Sequence, residues 1–366
     1  MKQYLISFLA IVFVASTNCY SQEVKKGIEL PQLTNQEELA LHQAIENDTI
    51  LKEWIKNTSN DAIQSYRQYK ANLIHSDSTW MSNQKRLSNI EDFGYTEKFE
   101  LIPLVENLYV NEELHKGYGV SYLIRTDHAT ILFDTGWDDD SLKSVFRQNL
   151  DMMDIAVNEI DAIVVSHNHG DHQNEWKWIN DQTFLNAENE NILPNIKIYI
   201  PEDIKNLNIG TICSYDPVKL FEGVYTTGII NAPMFFLSTQ EQGLIFNIKD
   251  KGLVIVTGCG HQTVERLLQR CGILSDFKIY GILGGLHFPV AGDSEKYMGY
   301  FITDKLPWES FTIDDVYKKI DLLKELELEL IGISTHDSSD KAIEAFKNSF
   351  PQKYKDLKTG EWIIVN

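Results

Sequence analysis

Ser166-His167-Asn168-His169-Gly170-Asp171-His172 is the stretch that decides how this chain is interpreted. It directly follows a short apolar run, residues 162–165, which is typical of a buried strand. An irregular loop that contains Gly170 can direct alternate side chains at one point. Imidazole and carboxylate groups together suit zinc, although iron and manganese accept the same donors. The stretch therefore predicts a metal site just beyond the end of a strand.

The number of ligands in this loop indicates how many ions to expect. Three imidazoles and one carboxylate, within residues 167–172, exceed one ion's share if a position is to stay open for water. Two ions roughly 3.5 to 4 Å apart can share a hydroxide and clamp a displacement on an ester or a phosphate. We therefore expect two divalent ions, zinc in the first place, with iron and manganese as alternatives.

The positions of the ten histidines point the same way. Four lie in polar sequence, where surface positions are expected: His42, His75, His115 and His128. The other six each follow the end of a predicted strand: His167, His169, His172, His261, His287 and His336. Because an isolated histidine is more often structural than a ligand, this shared placement is the stronger signal. We expect these six side chains to converge on one edge of a sheet.

From Phe99 onward, strand-like and helical patterns alternate along the chain. Residues 120–125 and 129–134 predict a hairpin, and residues 244–248 and 253–257 predict another across a turn that ends at Gly252. Further strands are predicted at 162–166, 197–200, 278–283 and 330–334, and helices at 141–150, 263–270, 313–327 and 341–346. Hairpins early and β-α alternation late predict an α/β layered fold with mixed sheets.

The front of the chain has a different, helical pattern. Residues 35–87 contain no Pro or Gly and carry apolar residues at spacings of three and four. Thr34 followed by Glu37 suits a capping box at the start of a helix. We therefore expect a helical extension over residues 22–95, built from two or three helices, in front of a hydrolase domain over residues 96–366.

The first residues have the pattern of a secretory signal peptide. Lys2 precedes a short apolar run, residues 5–15, and small and polar residues follow up to Ser21. The run is short for a membrane span, which needs roughly 20 apolar residues. Cys19 invites a lipoprotein anchor, but Asn18 stands where a small residue is wanted. We expect residues 1–21 to be removed and the protein to be exported, to the periplasm or beyond the cell.

Composition limits the partners of the mature protein. The 366 residues carry a formal net charge of −20, which disfavours binding to nucleic acid or to anionic membranes. Only Cys213, Cys259 and Cys271 would remain after cleavage, so no disulfide framework is expected. No later stretch is long and apolar enough to span a membrane. A small-molecule substrate is the expected partner, and the oligomeric state is left open.

Four further motifs make the resemblance to a known family specific. They are Asp134-Thr135-Gly136, Gly258-Cys259-Gly260-His261, Gly284-Gly285-Leu286-His287-Phe288 and Ser334-Thr335-His336-Asp337. With the histidine-rich loop, this series resembles the metallo-β-lactamase superfamily and is most similar to its dihydropterin synthase-like branch. The resemblance covers residues 98–366. It implies an αββα four-layer sandwich, with the metal ions at one edge of the two sheets.

The resemblance also implies roles for the residues of the histidine-rich loop. His167 and His169 would hold one ion, and Asp171 and His172 the other. Asp134 would orient the loop without binding metal, as carboxylates beyond the ligands commonly do.

The remaining ligands are less determined. No histidine lies between His172 and His261, so the family's usual middle ligand is missing and His261 is the best substitute. Cys259 is either a thiolate ligand or a small buried residue at a tight turn. His287 and His336 compete for the last ligand position, and the other one would contact substrate.

These observations predict a secreted hydrolase that attacks a phosphoester or a similar small molecule with metal-bound hydroxide, with Asp171 orienting the hydroxide. Hydrolysis of a lactone or a β-lactam is an alternative, and the missing middle histidine disfavours a true β-lactamase. A further alternative is a metal-binding or ligand-binding member of the fold without turnover. The pterin chemistry of the branch fits an exported protein poorly, because its pathway is cytoplasmic.

Overall fold

The computed structural model describes residues 30–47, 51–52, 61–137, 144–173, 196–201, 211–234, 238–293, 305–306 and 309–366. The predicted signal peptide, residues 1–21, lies outside these ranges. The helices are α1 Asn35–Asn47, α2 Ala62–Arg86, α3 Val145–Met152, α4 Gly170–Gln173, α5 Val264–Leu274, α6 Ile313–Lys324 and α7 Asp340–Ser349. A 3₁₀ turn spans Val157–Glu159.

Seventeen strands are described. They are β1 Phe99–Val105, β2 Leu108–Tyr109, β3 Ser121–Thr126, β4 Thr130–Phe133, β5 Ala162–Val164, β6 Lys197–Tyr199, β7 Thr211–Ile212, β8 Lys219–Phe221, β9 Val224–Thr226, β10 Ile230–Pro233, β11 Ser238–Glu241, β12 Leu244–Ile248, β13 Gly252–Thr257, β14 Ile279–Gly284, β15 Leu330–Ile333, β16 Lys358–Thr359 and β17 Ile363–Val365.

Two mixed sheets make up the body of the molecule. The first has seven strands in the order β17-β1-β3-β4-β5-β6-β7, and the second has six in the order β15-β14-β13-β12-β9-β8. Both predicted hairpins are confirmed, since β3 pairs antiparallel with β4 and β12 pairs antiparallel with β13. Two small ribbons, β10-β11 and β16-β2, complete the strand pairing.

Three apolar clusters explain how the layers stack. One lies between the sheets, where Phe99 of β1 meets Phe246 of β12 with ring centroids 5.0 Å apart. A second joins the outer face of the first sheet to α3 through Phe146 and Leu150. The third joins the outer face of the second sheet to α5, α6 and α7. Because both faces of each sheet are covered, the central strands β4, β5 and β13 are mostly apolar. The predicted αββα sandwich is confirmed.

Strand direction brings several strand ends to one edge of this sandwich. β4 and β5 run parallel in the first sheet, and β13, β14 and β15 run parallel in the second. β1 runs antiparallel to β3, which runs antiparallel to β4, so β1 points the same way as β4. The segments that follow β1, β4, β5, β13, β14 and β15 therefore emerge together, as ligand-bearing segments commonly do in layered α/β folds.

The helical front packs on the second sheet's side of the molecule. The predicted capping box is present: the Thr34 backbone N–H donates to Glu37 at 2.7 Å, and the Glu37 backbone N–H donates to the Thr34 hydroxyl at 3.3 Å. Arg266 of α5 donates to Asp77 of α2 at 2.6 Å and to the Asn231 carbonyl of β10 at 2.9 Å. The division into an extension and a hydrolase domain at residue 95 stays a prediction. None of the described helices is both long and apolar enough to cross a membrane.

Candidate metal centre

Seven predicted site residues come together at the common edge of the two sheets. Each lies in a segment that leaves a strand: His167, His169, Asp171 and His172 follow β5, His261 follows β13, His287 follows β14 and His336 follows β15. The sequence predicted an irregular loop around Gly170, but Asp171 and His172 lie on the short helix α4. The four other histidines named above, at 42, 75, 115 and 128, are exposed, as predicted. The structure thus separates the two classes of histidine in the way that the sequence pattern indicates.

His167 is oriented by the serine before it. The Ser166 hydroxyl donates to Oδ2 of Asp134 at 2.6 Å, so its lone pair accepts from Nδ1 of His167 at 2.8 Å. This leaves the lone pair on Nε2 of His167 available to a metal ion. Nε2 lies 3.0 Å from Nδ1 of His169. Two nitrogens that bind one tetrahedral zinc ion would be about 3.3 Å apart. The ring of His261 completes this group, 5.1 Å from His167 and 4.8 Å from His169 between centroids.

His172 is oriented by Asp134, as the resemblance implies. Oδ2 of Asp134 accepts from Nδ1 of His172 at 2.7 Å, and Oδ1 accepts the Ser166 backbone N–H at 2.6 Å. Both side chains are fully buried. A histidine that donates one nitrogen to a carboxylate presents the other nitrogen to a metal. Asp134 therefore orients the His172 ring directly and the His167 ring through Ser166.

Asp171 lies between His172 and His336. Its Oδ2 atom is 2.8 Å from Nε2 of His336 and 3.9 Å from Nε2 of His172. The ligand atoms of these three residues all lie within 4.8 Å of one another, and those of His167, His169 and His261 do as well. The loop residues thus contribute to both groups, and His336 belongs to the group that contains Asp171. His167 and His172 also form a compact group with Cys259, which links the two.

His287 lies on the other side of the cluster, 4.3 Å from His261 between ring centroids. It is nearly buried, and neither ring nitrogen has a hydrogen-bond partner among the described residues. An unpartnered buried polar group is costly, so this position fits a ligand for an ion. Its backbone has φ +52°, and its N–H donates to Oδ2 of Asp337 at 3.1 Å.

Cys259 lies between the two groups. Its sulfur is 3.0 Å from Nε2 of His172, and it also forms a compact group with His261 and His287. Burial raises the pKa of the Cys259 thiol well above its usual value, and nearby carboxylates raise it further. A neutral thiol is therefore the form expected without metal, and both interpretations of Cys259 stay open. Cys271, like Cys259, is a buried cysteine outside any disulfide.

Burial and charge set the protonation of the histidines. Burial lowers the pKa of His169 to about 4 and that of His287 to about 3, so both rings are neutral and able to bind metal at pH 7. Burial also acts to lower the pKa of His172, but the carboxylates of Asp171 and Asp134 raise it to about 9. Burial acts to raise the pKa of Asp171, but His172 and His336 lower it overall, so its carboxylate is ionised.

Two buried glutamates at this edge were missed by the sequence analysis. Glu241, at the end of β11, accepts the backbone N–H groups of Cys259 at 3.1 Å and Gly260 at 2.8 Å. Glu106, directly after β1, accepts the hydroxyls of Ser334 and Tyr122. Glu106 could have been found from its position, since it directly follows an apolar strand, as Asp134 does. Glu241 is the last residue of β11, which is a polar strand and has no such signal.

The donor set fits divalent metal ions. Six histidines, one ionised carboxylate and one thiol offer nitrogen, oxygen and sulfur atoms in overlapping groups, each within 4.8 Å. Imidazole with carboxylate is the combination that binds zinc, iron and manganese in proteins. The first group, His167, His169 and His261, and the second group, Asp171, His172 and His336, provide three protein ligands each, which leaves room for water at both.

Comparisons with known proteins show what this chain is similar to. A family model described as the metallo-β-lactamase superfamily matches residues 116–183. The 7,8-dihydropterin-6-methyl-4-(β-D-ribofuranosyl)-aminobenzene-5′-phosphate synthase of Methanocaldococcus jannaschii is 24% identical over 314 residues, which cover 74% of this chain and 98% of that protein. An uncharacterised protein of the same organism is 26% identical over 208 residues, covering 50% of this chain and 77% of its own length.

Among solved structures, Tm1679 is described as a metal-dependent hydrolase of the β-lactamase superfamily. It superposes with a TM-score of 0.51 at 18% sequence identity, covering 73% of this chain and 99% of its own. At this identity the likeness shows the fold. The fold, the family model and the motif series now agree with one another.

Proposed function

We propose that this chain, a member of the metallo-β-lactamase superfamily, is a binuclear-metal-dependent hydrolase of a phosphoester or a similar small-molecule substrate. One observation carries the proposal: loops from β5, β13 and β15 bring the first group and the second group together at one edge of the sandwich. Two adjacent three-ligand sites are the arrangement that hydrolytic chemistry on esters and phosphates uses.

The chain's own residues would hold the ions as follows. His167, His169 and His261 would bind one, and Asp171, His172 and His336 the other. When bound, two such ions polarise the scissile group and lower the pKa of water towards about 7. Asp171 stays ionised at neutral pH, so its second oxygen can accept a hydrogen bond from water and orient it. Asp134 keeps the ring of His172 fixed, with Nε2 directed at the centre.

The name of one relative supports the choice of a phosphoester. The Methanocaldococcus jannaschii relative is named as a synthase whose product carries a 5′-phosphate. A superfamily site that accommodates a phosphorylated ligand is therefore compatible with this sequence pattern. Because that relative is named a synthase and shares 24% identity, its reaction is not carried over to this chain.

A substrate panel tests the proposal. Wild-type protein loaded with zinc, iron or manganese would be assayed on a phosphodiester, a phosphomonoester, a lactone and a β-lactam, beside His169→Ala and the exposed-histidine control His75→Ala. We expect phosphoester hydrolysis that the control retains and His169→Ala loses by at least about 100-fold, since removing a key group from a catalytic site costs rate on this scale. Activity that survives in His169→Ala would place the reaction elsewhere, and turnover of the lactone or β-lactam alone would replace the substrate class.

We also propose that the protein is exported after loss of residues 1–21. The support is the sequence pattern of a basic start, an apolar run and a small-residue cleavage region. Amino-terminal sequencing of protein secreted by a bacterial host should give Gln22 as the first residue. An intact Met1, or a lipid-modified Cys19, would contradict this.

A further inference from the structure

The loop that carries His261 is held by one buried carboxylate. Oε1 of Glu241 accepts the backbone N–H groups of Cys259 at 3.1 Å and Gly260 at 2.8 Å, and Oε2 accepts that of Gln262 at 3.3 Å. Three hydrogen bonds to consecutive parts of one loop fix its path on both sides of His261. Glu241 is fully buried, and a buried carboxylate is costly unless its hydrogen bonds are this complete.

The loop that carries His336 has an equivalent partner in the other sheet. Glu106 is also fully buried, and it accepts the hydroxyls of Ser334 and, at 3.4 Å, Thr335, the two residues before His336. Asn107 adds a second link, because its amide donates to the Thr335 carbonyl at 2.8 Å. The two residues that directly follow β1 thus hold the part of the chain that leads into His336.

Each glutamate contacts the loop of one ligand histidine, His261 for Glu241 and His336 for Glu106. The hydrogen bonds of Glu241 go to the loop of His261, and those of Glu106 go to the loop of His336, to Tyr122 and to Asn107. His261 belongs to the first group and His336 to the second. Neither glutamate is among the residues of any compact ligand group. Their geometry is that of residues that act on the centre through a loop.

We propose that Glu241 and Glu106 are positioning residues with separate targets: Glu241 sets metal affinity at the first group, and Glu106 sets it at the second. This inference rests on the proposed two-ion centre. Each group then has ligands from both sheets. His261 or His336 follows a strand of the second sheet, and the other two ligands lie in residues 167–172, after β5 of the first sheet.

Near-isosteric variants test whether each glutamate affects metal affinity at one group only. In Glu241→Gln, one end of the side chain becomes a donor, and one of the loop N–H groups then loses its acceptor and faces another donor. In Glu106→Gln, the amide oxygen can keep the Asn107 backbone N–H, now 2.9 Å from Oε2, but the amide NH2 then replaces the acceptor of the Ser334 and Tyr122 hydroxyls, and both hydroxyls must turn away. Glu100→Gln is the matched control, because Glu100 lies on β1 and pairs with Lys98 at 2.8 Å, at the end of the strand that is distant from the site.

Stepwise titration with zinc in a competing chelator, and with cobalt followed by its visible absorption, measures the two affinities separately. We expect Glu241→Gln to weaken one step by roughly 10- to 100-fold and Glu106→Gln to weaken the other by a similar factor, as is usual when a partner behind a metal ligand is lost. Each step is identified by ligand variants: Glu241→Gln should add little to His261→Ala, and Glu106→Gln should add little to His336→Ala.

Several results would overturn the proposal. They are equal weakening of both steps by either variant, unchanged affinities in both variants, or full additivity with the ligand variants. If a glutamine variant does not fold, Glu241→Asp and Ser334→Ala replace it, since each removes only part of the same hydrogen bonding. Absence of any metal binding in the wild type would instead refute the proposed function, so the two failures are distinguishable.

Discussion

At the scale of single residues, His172 shows how the buried centre is balanced. Its ring contacts two carboxylates, with Asp134 at 2.7 Å on one side and Asp171 at 3.9 Å on the other. Asp134 holds the orientation of the ring, while Asp171 belongs to the ligand group. Two carboxylates of the same residue type thus have different roles, which follow from the strand that each one leaves.

Replacing Asp134 by Asn tests the role of the residue that orients His172. In the aspartate, Oδ1 accepts the Ser166 backbone N–H and Oδ2 accepts from the Ser166 hydroxyl and from His172. The amide of asparagine has one oxygen only, so it can accept at one of these two ends but not at both. We expect metal affinity at the second group to fall by roughly 10- to 100-fold, with the fold retained. A zinc titration of Asp134→Asn beside the exposed variant Asp216→Asn measures this, and equal affinities in the two variants would contradict it.

At the scale of elements, Glu37 gives the first turn of α1 a defined response to acid. The hydrogen bond with Lys70 and those with Thr34 lower the pKa of Glu37 from 4.5 to about 2. A group whose pKa is lower in the folded state stabilises it above the unfolded pKa, and this contribution is lost as the pH falls towards about 2.

Urea unfolding between pH 6 and pH 2.5 measures this contribution. Glu37→Gln should unfold at lower urea than the wild type at pH 6, and the two midpoints should approach each other as the pH falls. A difference that stays constant, or that grows in acid, would contradict the assignment.

The docking of α2 depends on Arg266. Its guanidinium reaches Asp77 and Ser76 of α2 and the Asn231 carbonyl of β10, and it lies 5.6 Å from the centre of the Trp80 ring. Hydrogen bonds to charged groups contribute about 1.5 to 3 kcal/mol each when buried, and exposed ion pairs about 0 to 1 kcal/mol. Since the Asp77 side chain is 65% exposed, the bonds to Asn231 and Ser76 should dominate.

We therefore expect Arg266→Ala to lower the free energy of unfolding by about 2 kcal/mol. It should also speed limited proteolysis within residues 62–86. Lys319→Ala is the control. Lys319 of α6 pairs with Glu265, which lies on the same helix as Arg266, and its side chain is more exposed than that of Arg266. Protease resistance equal to that of the control would contradict the role of Arg266 in holding α2.

The elements also show what a sequence can and cannot predict here. Local patterns identified the β3-β4 and β12-β13 hairpins, and each later strand-helix unit, because alternation and turn residues act over short distances. The pairing of β17 with β1 and the ribbon of β10 with β11 were not predicted. Pairings between distant segments have no local signature. The same holds for Glu241, whose partners lie 18 to 21 residues away.

At the scale of the whole molecule, the two sheets contact each other through the apolar core and through the proposed metal-binding side chains. The histidine-rich loop belongs to the first sheet, while His261, His287 and His336 belong to the second. Bound ions would therefore bridge the two halves of the sandwich. Ligands that bind only the folded state stabilise it in proportion to the logarithm of their concentration.

Removal of metal should consequently destabilise the molecule as a whole. We expect chelation to lower the melting temperature, and restoring zinc at about 100 times its dissociation constant to recover ~2.7 kcal/mol for each site. Differential scanning calorimetry of the stripped and reloaded protein measures this. An unchanged melting temperature after verified stripping would mean that the ions do not link the sheets.

The metal content of purified protein tests the central claim most directly. Elemental analysis of wild-type protein, expressed with supplemented zinc, iron and manganese and freed of loose metal by gel filtration, counts the ions per chain. The account predicts close to two equivalents of divalent metal, falling to about one in His336→Ala. Protein that retains no stoichiometric metal after this treatment would contradict it.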